Sequence, residues 1–199
     1  MIVEIVDKLV DRLLQLIKHR KEQNQELYSN FVEPAIADFE AVHKNYMKSF
    51  KSYRTTVREG QTPLNMDHPL FDKIREDSLF SSEIRSKVAA IQELDGDTVV
   101  GPFAKAVSIY VLGQEQYNKV VLNGYRSPPN AARLKIIEGL KTISSEAISE
   151  DKKKKKALDT IDAVIEERQA DYNDVMREFT KLRAQLLSPG IKLNDEPEV

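Results

Sequence analysis

Two stripes of apolar residues, one near each end, organise the chain. In the second, Leu158, Ile161, Ile165, Tyr172, Val175, Phe179, Leu182 and Leu186 follow alternating three- and four-residue steps, broken only by Arg168. In the first, Tyr28, Val32, Ala35, Phe39, Val42, Tyr46, Tyr53 and Val57 do nearly the same, with Ser49 at the polar step. Residues so spaced share one side of a helix and need a facing helix to leave water. They predict two long helices of about 39 Å and about 42 Å at the helical rise per residue. The expected fold class is all-α: an elongated multi-helix bundle with two long coiled-coil-like helices, paired parallel or antiparallel.

Residues 2–17 are amphipathic in a different way. Ile2, Val3, Ile5, Val6, Leu9, Val10, Leu13, Leu14, Leu16 and Ile17 fill about half of a helix circumference, wider than a single coiled-coil seam. Such a face either sinks among neighbouring helices or engages a membrane surface or partner groove. Residues 18–26 are wholly polar and predict a hinge or a projecting turn. Pro34 then predicts a kink near 30–34, or a new helix with Pro34 in its first turn and Asn30 as cap. That helix should end at Gly60.

The middle of the chain reads as shorter helices. Residues 59–69 predict a loop, 70–77 a short helix, and Ser81 or Ser82 the cap of a helix reaching Leu94. A turn follows at 95–97, and the apolar stretch 98–123 predicts a central helix. Asn130 caps the next helix, with Leu134, Ile137 and Leu140 on its core face. Ser149, followed by Glu150 and Asp151, starts the last long one. The expectation is five or six helices in one domain over 1–188, with 1–17 separable and 189–199 a disordered acidic tail.

Composition narrows the function classes. Of 199 residues, 30 are Lys or Arg and 32 Asp or Glu, so bulk charge does not point to nucleic acid. There is no cysteine, which excludes disulfides and thiolate zinc sites and fits a cytoplasmic protein. Glu4, Asp7 and Asp11 interrupt any secretory signal core, and no apolar run approaches the roughly 18 residues of a membrane span.

Few residues invite chemistry. Glu40 and His43 stand three apart on one helix face, as ligands do in di-iron bundles, but neither His19 nor His68 repeats the motif. They flank the apolar stripe and read as a bundle-edge pair, so no metal or cofactor is expected. No glycine-flanked serine elbow or phosphate-cradling loop occurs, so no enzymatic activity is expected. Lys152, Lys153, Lys154, Lys155 and Lys156 form the strongest charge run. They are a candidate contact to phosphate or an anionic surface, or simply a solvated helix entry. Arg168, a charge at a core heptad position, sets register or reaches past the seam with its stem packed. The pattern as a whole predicts a non-enzymatic interaction or assembly protein, either oligomeric or bound to a protein partner. Its alternative is an effector whose residues 1–17 engage a membrane.

Overall fold

Pro34 shapes the N-terminal third of the protein. Proline brings no N–H, so the α-helical bond to the carbonyl of Asn30 cannot form. The chain answers with a π-helical turn at Tyr28–Val32, in which the Glu33 N–H reaches back five residues to the Tyr28 carbonyl. The computed structural model describes residues 2–60, 87, 91, 97–112 and 131–188. Its helices are α1 (Ile2–Lys18), α2 (Asn24–Leu27), α3 (Glu33–Arg58), α4 (Gly101–Leu112), α5 (Ala131–Ser145) and α6 (Glu150–Leu187). The described residues contain no strand, and the protein is all-α. Lys87 and Ile91 are also helical. The expected helices at 70–77 and through Leu94, the continuation of α4 to 123 and the tail 189–199 lie otherwise outside the described residues.

Asn30 does not cap α3. The residue preceding α3 is Val32, itself helical, because the π turn joins α2 to α3 without a break. The interruption falls earlier, in the polar stretch. α1 ends at Lys18 and the chain turns before resuming beyond Gln23, whose backbone is extended. At this turn His19 stacks on Phe31 with centroids 4.5 Å apart.

The wide apolar face of α1 is sunk against α3, with Val6, Leu9, Val10, Leu13 and Leu16 buried. Lys8 pairs with Asp38 at 2.8 Å, and Lys87 pairs with both Asp7 and Asp11 at 2.8 Å. The contacts of Lys8 with Asp38 and His19 with Phe31 set α1 antiparallel to α3. Arg54–Asp162 at 2.6 Å and the stacking of His43 on Tyr172 set α6 antiparallel to α3 as well.

α4 and α5 run antiparallel to different lengths of α6. Phe103 meets Phe179 and Tyr110 meets Arg168 on the α4 side, while Lys135 pairs with Glu167 and Glu146 with Lys156 on the α5 side. Residues 157, 161, 164, 168, 175, 182 and 186 of α6 are therefore the buried ones. Leu158, Ile165, Tyr172 and Phe179 of the sequence stripe are half-buried beside them. A straight helix drifts against a strict heptad, and residues one position away take over the seam. Phe50 fills the core in the same way next to half-buried Ser49. No helix among the described residues is long and apolar enough to cross a membrane.

α5 comes close to α6 at Gly139. A Cβ built there would stand 2.7 Å from Cγ2 of Thr160. Gly139→Ala should gain about 1 kcal/mol of helix propensity and lose more than that to the clash, about 1–3 kcal/mol. Introduced beside Thr160→Ala, which removes Cγ2, the same change should instead raise the denaturation midpoint.

Candidate functional site

The one buried charge among the described residues marks the place where α3, α4 and α6 meet. α3 presents Phe39, His43 and Tyr46, spaced four and three apart and hence on one face. α4 presents Tyr110, and α6 presents Arg168, Asp171 and Tyr172. Tyr110 is fully buried at the centre. Its ring meets Phe39 edge-on at 4.9 Å and lies 6.0 Å from Tyr46, and the Arg168 guanidinium carbon is 5.1 Å from its centroid. Tyr172 stacks on His43 at 4.1 Å and on Phe39 at 5.6 Å.

Arg168 is only 3% exposed, and its charge is met from two sides. Nη1 donates to the Tyr110 carbonyl at 2.6 Å, and Nη2 donates to the Asp171 carboxylate, while Nε has no partner. Tyr110 belongs to α4, and the Arg168 guanidinium reaches its backbone carbonyl from α6. Arg168 thus ties one helix to another through a main-chain acceptor. It is not reaching past the seam into water, and it finds its partners on α4 and within α6 rather than at Ser49. Burial pushes the Asp171 carboxyl up from its ordinary range, and the Arg168 charge opposes that push.

His43 is half-buried, and its Nδ1 lies 2.8 Å from the Tyr110 hydroxyl. Burial lowers its pKa, the charge of Arg168 lowers it further, and a hydrogen bond with Gln169 works the other way. Burial pushes the Tyr110 hydroxyl far up, so it remains a neutral donor. Asp171 also borders a groove of about 350 Å³ between α4 and α6. Pro102, Ala106 and Ile109 line it from one helix, and Asp171, Asp174 and Glu178 from the other. Arg177, also in the lining, pairs with Asp174 at 2.9 Å and lies 3.6 Å from Glu178. The acids already have cations beside them, so the groove's charges are internally balanced.

The sequence pair Glu40 and His43 separates here. Glu40 is exposed and acts on Tyr172, whose hydroxyl it helps to push up, whereas His43 turns to Tyr110. Among the described residues no group of three or more His, Asp or Glu could hold a metal ion. Lys152, Lys153, Lys154, Lys155 and Lys156 occupy the first turns of α6 behind Ser149, as the sequence indicated. Lys153 pairs with Glu150 at 3.2 Å and Lys156 with Glu146 at 2.5 Å. Consecutive residues fan around the axis, and the five do not converge on one point.

Arg168 was visible in the sequence as a charge in an apolar seam. Its partner Tyr110 was not, because it reads as one more apolar position in a helix of that kind. Nothing local announces a hydrogen bond 58 residues away. Compared with family models, with curated proteins and with solved structures, the chain finds no match.

Proposed function

We propose that this protein is a non-enzymatic helical-bundle component of a protein assembly, with α6 as its docking element. One observation carries the reading. α6 is covered on one side by α3, α4 and α5, while Ala163, Ala170 and Ala184 lie exposed along its other side at multiples of seven residues. Small side chains at heptad spacing let a second helix approach closely without requiring an apolar face in the free protein. The buried polar groups fit the same reading, because Arg168, Asp171, Tyr110 and His43 bond one another and stiffen the helix junction. The partner is a second copy of this chain, since self-complementary pairs are the commonest oligomers.

The alternative, in which residues 1–17 engage a membrane, draws on the same apolar side chains that α3 covers, and it requires Lys8 and Arg12 to leave Asp38. The assembly reading requires no such rearrangement. Light scattering of the full chain tests it: the expected mass is that of a dimer, falling to a monomer in Ala163→Glu/Ala170→Glu with helical content unchanged. A wild-type monomer at micromolar concentration, indifferent to the double substitution, overturns it.

A further inference from the structure

We propose that His43 is a pH-sensitive latch: as a neutral acceptor it holds the Tyr110 hydroxyl and locks α4 against α3 and α6, and its protonation opens that junction. The tautomer follows from the hydrogen-bond network. The Tyr110 hydroxyl is buried, and its hydrogen needs an acceptor. Among the described residues His43 Nδ1, at 2.8 Å, is the acceptor beside it, which places the neutral ring's proton on Nε2. Gln169, whose interaction with the ring favours its protonated form, lies beside it on α6.

A proton added to Nδ1 would point at the hydroxyl hydrogen. The hydroxyl oxygen would then accept from Nδ1, and its own hydrogen would have to turn toward the rings of Phe39 and Tyr46 that pack on Tyr110. The new charge would also stand near Arg168. The titratable and charged groups facing His43 are Glu40 from its own helix, Tyr110 from α4, and Arg168, Asp171 and Tyr172 from α6. Of the two carboxylates, Asp171 is bound to Arg168 and Glu40 is exposed to water, so neither offsets the added charge well. α1 packs on another side of α3, where Lys8 and Arg12 meet Asp38.

The sign follows from the geometry. The folded ring titrates below its ordinary 6.5, so on acidification the unfolded chain takes up the proton first. The latch stabilises fully above pH 6.5, weakens as the pH falls from there toward the folded pKa, and changes no further below it. Asp171, raised by burial, contributes with the opposite sign: its share is present at low pH and lost as the pH rises through its folded pKa.

The experiment is urea unfolding of the full chain between about pH 8 and pH 5, with an NMR titration of the histidine ring protons. The wild-type midpoint should fall on acidification, with the folding constant dropping by at most about tenfold per pH unit inside the window. His43→Gln, whose amide oxygen can still accept the Tyr110 hydroxyl, should lose that dependence, while His19→Gln and His68→Gln keep it. Hydrogen exchange in α4 around Tyr110 should quicken before that of α1. An unchanged pH dependence in His43→Gln, or a His43 ring titrating at or above 6.5 in the wild type, overturns the proposal. If His43→Gln does not fold, the ring titration and the exchange order in the wild type decide.

Discussion

Asp171→Ala destabilises the protein by about 3–5 kcal/mol, more than removal of the arginine that Asp171 holds. Arg168 is 3% exposed, and Asp171 is the carboxylate that its Nη2 grips. Deleting that carboxylate leaves a guanidinium charge in the core, with the Tyr110 carbonyl as its main remaining acceptor. Arg168→Met removes the charge instead. The stem continues to pack against Tyr110, and the Asp171 side chain, at 26% exposure on the groove, can turn to water. What Arg168→Met loses is the donor to the Tyr110 carbonyl, about 1–3 kcal/mol. The double variant Arg168→Met/Asp171→Ala should therefore be more stable than Asp171→Ala alone. A denaturation series on the three proteins reads this inversion directly. The opposite order would mean that the bond to the Tyr110 carbonyl outweighs charge neutralisation at this joint.

The elements themselves were legible because each carries its own period. Ile161, Val175, Leu182 and Leu186 announce one seam, and Phe39, Val42, Tyr46 and Tyr53 the other. Both are buried because a helix that shows this spacing has one side to hide. The breadth of the α1 face left deep packing and an outside surface both open, and in this fold α3 covers it. What failed was local detail in which two devices compete. Pro34 permits a kink, a fresh helix start or a π turn, and sequence alone does not choose among them. The candidate site was half legible. A charge in an apolar seam singles out Arg168, but its meaning depends on the carbonyl of Tyr110, a backbone atom that every residue possesses. His43 looked like the edge of a stripe because the helix that turns it inward comes much later in the chain.

Register is where the polar cluster matters most for the proposed assembly role. Antiparallel helices with repeating apolar seams can slide by a heptad at modest loss, since the same residue types meet again. Arg168 has its carbonyl and carboxylate in one alignment of α4 with α6, and His43 has its donor in one alignment of α3 with α4. A slipped arrangement would bury an unpaired charge. The outer face of α6 is thereby presented in a single, fixed register to whatever docks on it.

Tyr110→Ala carries the second large effect, a loss of about 3–5 kcal/mol. The ring is fully buried and touches all three helices' contributions at once: Phe39 at 4.9 Å, His43 at 5.9 Å, Tyr46 at 6.0 Å and the Arg168 guanidinium at 5.1 Å. Truncation leaves a cavity that these neighbours cannot close, because Arg168 is tethered to Asp171 and the α4 backbone. It also removes the ring face that the guanidinium covers. For a chain of this length the thermal midpoint should drop by roughly ten degrees or more. Tyr110→Phe keeps the ring and deletes only the hydroxyl. Half-buried His43 can take water in its place, so the loss should be about 1 kcal/mol. The comparison separates packing from hydrogen bonding at one atom. A Tyr110→Phe midpoint close to that of Tyr110→Ala would show the hydroxyl, not the ring, to be what joins the three helices. The expected result is that Tyr110→Phe keeps most of the stability of the wild type.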